Sequence, residues 1–172
     1  MPELHVRQLT SSDAEAFSSL RRIITADDPL PMGLTLAEEM TRPMQGFRDQ
    51  LGFPAPNAAF GAFVEGELRG CAAISWTSKF ASSMHKVVLW GTFVHPAHRG
   101  KGLGRSVVST ALDHARSHDV HRVNLTVFVP NIAATSLYQS LGFKPYGIEP
   151  DAVCIGSVFY DGQHMSLRLT TA

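Results

Sequence analysis

The chain has 172 residues, 44% hydrophobic and 17% charged, a composition that suits one folded domain over residues 1–172 with a substantial core. Its 15 basic residues are balanced by 15 acidic ones, so the formal net charge is zero. That balance argues against nucleic-acid wrapping and against a membrane-surface role, and it makes any electrostatic function local.

At the N-terminus, Met1-Pro2-Glu3-Leu4-His5 carries neither a basic stretch nor an apolar run, so no signal peptide is expected and the expected location is cytoplasmic. No stretch approaches the ~18 apolar residues of a membrane span. Leu4, Val6 and Leu9 predict a short first strand. Thr10-Ser11-Ser12-Asp13 supplies capping residues for a helix to about Ile24, which Asp27-Asp28-Pro29-Leu30-Pro31 ends. A second helix is expected over residues 35–51, kinked or broken at Pro43, because proline lacks the amide hydrogen and clashes with the preceding turn. Residues 57–64 and 68–77 read as a hairpin around Glu65-Gly66-Glu67. Cys71 and Cys154 are too few for a disulfide framework and read as small buried hydrophobes. Residues 87–94 form a near-continuous apolar run, hence a buried central strand, in which Gly91 marks a bulge or a close backbone approach. Leu103, Val107, Val108, Ala111, Leu112 and Ala115 trace one face of a helix. Residues 123–129 predict a strand, and Pro130-Asn131 opens a short helix closed by Gly142. Residues 144–148 and 163–169 predict two final strands. The order is β, two helices, three strands, helix, strand, helix, two strands: a mixed α/β chain around one sheet.

The stretch Val94-His95-Pro96-Ala97-His98-Arg99-Gly100-Lys101-Gly102-Leu103-Gly104-Arg105 lies between the apolar strand and the amphipathic helix. Its glycines let backbone amides approach a ligand. The helix start offers unpaired N–H groups and positive dipole charge, and Arg99, Lys101 and Arg105 add cations. Together these suit a pyrophosphate. A P-loop is excluded because no Lys-Ser or Lys-Thr pair follows the glycines. The spacing G-x-G-x-G is not the dinucleotide fingerprint G-x-G-x-x-G, and Asp119 falls in a loop rather than at a strand end. Taken alone, the stretch also reads as a solvated glycine-rich turn.

Written V-x-P-x-x-R-G-x-G-x-G, residues 94–104 resemble the coenzyme A-binding motif of the GNAT acetyltransferases, and the flanking strand and helix are placed as in that family. Residues 131–143 resemble the family's N-x-x-A-x-x-L-Y-x-x-L-G-F. The resemblance is strong over residues 86–169 and one of element order over residues 3–78. It implies the GNAT acyl-CoA N-acyltransferase fold, a single mixed, largely antiparallel sheet flanked by helices. It also implies that pantetheine lies along the strand ending at Phe93 and Val94. The pyrophosphate would rest on the amides of residues 99–104, among Arg99, Gly100, Lys101, Gly102, Leu103, Gly104 and Arg105. Asn131 would contact the pantetheine arm, and the Tyr138 hydroxyl would approach the thioester sulfur. An isolated Tyr138 would read as a half-buried core aromatic; its spacing from Asn131, two helical turns, favours the functional role. The C-terminal Gly147-Ile148-Glu149-Pro150 and Tyr160-Asp161 resemble a branch of uncharacterised bacterial members, which names no acceptor.

The implied chemistry is direct attack of a primary amine, on a small molecule or a peptide, upon acetyl-coenzyme A in a ternary complex. A backbone N–H near Val94 would serve as oxyanion donor and Tyr138 as the acid that protonates the thiolate. Family members that acetylate ribosomal-protein termini carry a Glu five residues before the Asn; here that position is Thr126, which cannot serve as the base. Glu38, Glu39, Glu149, Asp151, His164 and a water chain are the candidates, each side chain reading equally as a surface group. His114 and His118 have metal-ligand spacing but no third ligand, so no metal is expected. His95 and His98 flank the cradle. Met32, Met40, Met44 and Phe47 line an acceptor pocket or belong to the core. Transfer of a longer acyl group and a non-catalytic coenzyme A-binding or partner-binding module are the alternative functions. The expected partners are acetyl-coenzyme A and an amine, with no nucleic acid and no membrane, acting as a monomer or homodimer.

Overall fold

The computed structural model describes residues 3–169. Strand β1 (Leu4–Gln8) leads to a capping box in which the Asp13 carboxylate accepts the Thr10 amide at 2.8 Å, and helix α1 (Ala14–Asp27) follows. The helix outruns its expected end at Ile24. It stops at Asp28, whose extended backbone (φ −153, ψ 109) is the conformation forced on a residue preceding proline, here Pro29. A 3-10 turn over Leu30–Met32 closes on Gly33 at φ 67. The predicted second helix is two helices, α2 (Leu36–Thr41) and α3 (Met44–Leu51), because Pro43 is extended (φ −71, ψ 149). The hairpin β2 (Ala58–Val64) and β3 (Glu67–Ser75) precedes β4 (Lys86–Val94), α4 (Leu103–Ser117), β5 (Arg122–Phe128) and α5 (Ile132–Ser140). β6 (Lys144–Ile155) and β7 (Val158–Arg168) complete the chain.

The seven strands form one sheet in the order β1-β2-β3-β4-β5-β7-β6, antiparallel except for the β4–β5 pair. This is the mixed, largely antiparallel sheet expected. The two final strands are much longer than expected and join through Gly156 and Ser157, both at positive φ. Pro145, Gly147, Pro150 and Asp151 hide β6 in the sequence. Its register against β7 shifts twice, and its faces are largely solvated, so no clean alternation of apolar and polar residues develops.

The two faces of the sheet carry separate cores. All six apolar residues predicted on α4 are buried, against β2, β3, β4 and β5. Fully burying a Val or Leu side chain contributes ~1.5–3 kcal/mol, so this one face supplies much of what holds α4 down. On the other face α1 and α3 pack through Phe17 and Phe47, edge to face at 6.2 Å. No helix among the described residues is long and apolar enough to cross a membrane.

Strands β4 and β5 pair only between residues 86–88 and 122–124 and then diverge. On the α1 side, Gly33 sits against the ring of Phe128; a Cβ there would come within 2.8 Å of that ring. The divergence opens a gap through the sheet at its centre.

Candidate active site

The gap begins where β4 is irregular. Gly70 and Cys71 pair with Val94 and Phe93, whereas Ala73 pairs with Trp90, so Gly91 and Thr92 occupy a bulge. Gly91 takes φ 64, a left-handed conformation that glycine adopts without penalty. The bulge re-aims Thr92, Phe93 and Val94 into a cavity of about 470 Å³. Arg99, Gly100, Gly102, Leu103, Gly104, Arg105, Asn131 and Tyr138 also line it. Of the residues that the resemblance assigns to the cofactor and to Tyr138's role, only Lys101 is outside its wall; its ammonium donates to the Ala97 carbonyl at 2.9 Å.

The glycines have distinct reasons. Gly100 (φ 73) and Gly102 (φ 84) are left-handed, and a Cβ on either would point into open space, the place a ligand would occupy. Gly104 is a packing position, since a Cβ there would lie 3.3 Å from Leu137 and 3.5 Å from Val94. The first α4 amide bond runs from Ser106 to Gly102 at 3.0 Å, so the amides of residues 103–105 face outward with the helix dipole behind them. Around this open helix end the cations are tethered: Arg99 to Asp27 at 2.8 Å, Arg105 to the Ser140 hydroxyl at 2.6 Å. The residues therefore fit a pyrophosphate through free amides, left-handed glycines and a cationic rim. His98 also lines the cavity, whereas His95 does not and instead accepts the Ala97 amide at 3.2 Å. Desolvation, then the cations Arg69 and Lys101, hold the His98 imidazole below its ordinary range; desolvation and Arg69 do the same to His95. Both rings are accordingly neutral near pH 7.

Across the cavity, Asn131 caps α5 by accepting the Ala134 amide at 3.1 Å. Tyr138 is 7% exposed and packs edge-on against Phe143 at 5.7 Å. Burial pushes its phenol above the ordinary range, with the neighbouring Thr92 side chain opposing, so the hydroxyl keeps its proton. Thr92 Oγ1 is buried beside the Tyr138 hydroxyl, without a well-aligned hydrogen bond among the described residues.

A second cavity of about 360 Å³ opens on the α1 face and shares Pro31, Thr92, Phe93, Asn131, Ala134 and Tyr138 with the first. The two are thus continuous through the gap between β4 and β5. Met32, Gln50, Trp90, Thr126 and Phe128 complete much of its wall. Of Met32, Met40, Met44 and Phe47, expected to line an acceptor pocket or belong to the core, only Met32 lines this cavity; Phe47 is buried in the α1–α3 core, Met44 packs against that core and Met40 is exposed.

The candidate bases separate clearly. Glu38 is committed to the α2 cap, accepting the Thr35 amide at 2.7 Å. Glu39 is fully buried and bound to Arg21 at 2.7 and 2.9 Å, so it is not available as a base. The Asp151 amide donates to Asp161 in the β6–β7 hairpin, away from both cavities. Glu149 and His164 contact each other at 3.4 Å, and His164 Nδ1 lies 2.8 Å from Thr126 Oγ1. Sequence reasoning missed Thr92, Trp90, Phe128 and the Thr126–His164 contact; only the register of β5 against β7 could have revealed the last. His114 and His118 pack against one another at 4.3 Å with their rings tilted by 44°, beside Trp76. Among the described residues no group of three or more His, Cys, Asp or Glu could hold a metal ion.

Residues 18–143 match the family model described as Acetyltransferase (GNAT) family. N-alpha-acetyltransferase RimI of Mycobacterium tuberculosis is 33% identical over 141 residues, covering 81% of this chain and 78% of the relative. Mycothiol acetyltransferase of Thermobispora bispora is 33% identical over 143 residues, which are 80% of this chain but only 45% of that relative. Among solved structures, yncA of Salmonella typhimurium with its cofactor acetyl-CoA superposes with a TM-score of 0.80 at 23% identity, covering 98% of this chain and 95% of that one. A GNAT-family acetyltransferase of Streptococcus pneumoniae superposes at 0.86 with 21% identity, over 98% and 100% of the two chains.

Proposed function

The chain belongs to the acetyltransferase (GNAT) family, and on that premise we propose that it moves an acetyl group from acetyl-coenzyme A to a primary amine by direct attack in a ternary complex. The observation that carries this reading is the continuity of two cavities through the β4–β5 gap, with Tyr138 and Thr92 on the wall of both. One cavity has the chemistry of a pyrophosphate site; the other has room for an acceptor.

Acetyl-coenzyme A supplies the activated acetyl thioester. The amides at the start of α4, with Arg99 and Arg105 at the rim, hold its pyrophosphate, and Asn131 and the unpaired edge of β4 hold the arm that leads into the gap. A backbone N–H near Val94 points at the developing oxyanion. Tyr138, kept protonated by burial, donates to the departing thiolate. Met32, Trp90, Phe93 and Phe128 give the acceptor cavity apolar walls, and the one cation among its lining, Arg21, is already bound to Glu39. An amine on an apolar body therefore suits it better than a polyamine or a free amino acid.

Two measurements test the reading. Acetyl-coenzyme A at ~100 times its dissociation constant stabilises a binding protein by about 2.7 kcal/mol. At about 2–4 °C per kcal/mol for a chain of this size, the thermal midpoint should rise by roughly 5–11 °C. A panel of phenylethylamine, spermidine, free amino acids and an N-terminal alanine peptide should then release coenzyme A, fastest with phenylethylamine or the peptide. A melt unmoved by the ligand, or no release with any amine, would overturn the proposal.

A further inference from the structure

We propose that Thr126, His164 and Glu149 form a proton relay that takes the proton from the acceptor amine, Thr126 touching the amine and His164 receiving the proton. The proposal rests on the acetyl-transfer reading above. It supplies the base that no single side chain of the acceptor cavity provides.

The relay follows from strand register. Leu125, Val127 and Met165 point into the α4 core, so the alternate residues of β5 and β7 point to the opposite face, that of the acceptor cavity. Thr126 and His164 are directly paired across β5 and β7, which places their side chains side by side on that face. Thr126 lines the cavity, and its Oγ1 lies 2.8 Å from His164 Nδ1. On the far side of the ring, His164 Nε2 is 3.4 Å from Glu149 Oε2 on β6. Tyr146 stacks over the imidazole at 5.8 Å and 23°, fixing its plane. Gly162, next along the face from His164, leaves room for the pair: a Cβ there would be 3.0 Å from the Thr126 methyl and 3.0 Å from Ala152 and would press on both.

These contacts define the direction of transfer. A carboxylate 3.4 Å from Nε2 favours the tautomer with its proton there, and in the proposed relay this leaves a lone pair on Nδ1 for the Thr126 hydroxyl to donate to. The threonine oxygen then faces the amine as an acceptor. A primary ammonium must lose one proton before its nitrogen can attack. In that step an N–H bond of the ammonium breaks, Thr126 Oγ1 takes the proton, and the proton originally on Oγ1 passes to Nδ1. The resulting imidazolium lies beside the Glu149 carboxylate and, with a side chain 30% exposed, returns its proton to solvent. Attack of the neutral amine makes the tetrahedral adduct, and Tyr138 protonates the departing sulfur. Thr126 and Tyr138 line the same cavity, so the accepting and donating ends meet at one substrate. The Glu149 carboxylate and the Tyr146 phenol face the imidazole from β6 and the Thr126 hydroxyl from β5, and on β7 the nearby Ser166 hydroxyl accepts from Arg122 at 2.9 Å.

The test uses Thr126→Val, which keeps the shape and removes the hydroxyl, with His164→Gln and His164→Ala. Coenzyme A release is followed from acidic to alkaline pH with phenylethylamine and with the N-terminal alanine peptide, and acetyl-coenzyme A affinity is measured by calorimetry. We expect kcat/KM to fall about 10²-fold in Thr126→Val and His164→Gln, at the lower end of what positioned proton transfer contributes, with cofactor affinity unchanged. His164→Gln should flatten the acidic limb of the pH profile, and added imidazole should restore part of the His164→Ala rate. A purely structural role would change neither. Equal kcat/KM and an unchanged pH profile in His164→Gln would overturn the relay while leaving the acetyl-transfer reading intact. If the parent protein transfers acetyl to no amine, that reading fails, and the ¹⁵N shifts of His164 decide the relay alone. The Nε2–H tautomer, lost in favour of a mixture in Thr126→Val, supports it; a proton on Nδ1 in the parent overturns it.

Discussion

Replacing Glu39 with Gln removes one negative charge from the buried cluster that ties α2 to α1. Glu39 is 0% exposed and Arg21 4%, with two bonds of 2.7 and 2.9 Å between them and Arg42 at 3.5 Å. Burial alone would raise the Glu39 carboxyl, but the hydrogen bonds and charge of Arg21, aided by Arg42, outweigh it and hold the group below its ordinary range. A depressed carboxyl stabilises the fold above its unfolded-state pKa, and the contribution is lost as pH falls through the folded-state value. Breaking one partner of a buried pair costs about 3–5 kcal/mol. The amide of Gln keeps one acceptor for Arg21, so the lower end, about 3 kcal/mol, is expected at neutral pH. At about 2–4 °C per kcal/mol this lowers the melting midpoint by roughly 6–12 °C. Thermal melts of parent and Gln variant across pH measure it, and the gap should narrow on acidification, as the parent loses the advantage the variant never had. A midpoint within about 2 °C of the parent at neutral pH, or a gap that widens in acid, would refute the reasoning. Turnover per folded molecule should survive, because this carboxylate faces Arg21 and not the acceptor.

Tyr138→Phe keeps the ring against Phe143 and should melt like the parent, while kcat and kcat/KM fall together by about 10²- to 10⁴-fold in pre-steady-state transfer; an unchanged rate would return Tyr138 to a packing role. Gly102→Asp puts a side chain and a negative charge where the pyrophosphate is proposed to sit, at φ 84. Calorimetry should show acetyl-coenzyme A binding abolished, with a stability loss held to about 1–2 kcal/mol by the left-handed backbone. Gly104→Val should instead act on packing, pressing on Leu137 and Val94 and destabilising by about 1–3 kcal/mol in urea unfolding.

What the sequence made legible is what local chemistry encodes. The α4 face is set by a 3.6-residue period, and every residue assigned to it is buried. Pro43 was readable as a break and is one. The bulge at Gly91 follows from the positive-φ backbone that glycine alone adopts freely, and the cap at Asn131 from a short side chain that accepts a backbone amide. The cradle was legible because glycine spacing, a helix start and cations are all contiguous. The second cavity was not, because its wall is assembled from β4, β5, the turn at Leu30–Met32 and α3, and no local pattern reports which of their side chains converge. Glu39 shows the same limit: as a residue it is a plausible base, and only the distance to Arg21 reveals that its charge is spoken for. The β6–β7 hairpin escaped for a different reason, since a solvated, bulged ribbon carries no hydrophobic alternation to read.

One topological defect underlies both halves of the proposed reaction. In a sheet otherwise antiparallel, the β4–β5 pair is parallel and holds register for only three residues on each strand. Past Val88 and Asn124 the facing edges of both strands lose their partner, and an unpaired edge inside a protein demands another source of hydrogen bonds. On β4 the bulge turns that edge toward the cradle and α5, where an extended amide-bearing arm such as pantetheine can replace the missing strand. On β5 the alternation of the strand turns Thr126 the other way, toward His164 on β7, whose pairing with β5 continues unbroken through residues 122–128. The parallel pair thus leaves a vacancy for the donor, while the intact antiparallel pair beside it holds the proposed relay rigid. A sheet with β4 and β5 zipped to their ends would close the opening at its centre and leave neither an edge for the donor nor a cavity for Thr126 to face.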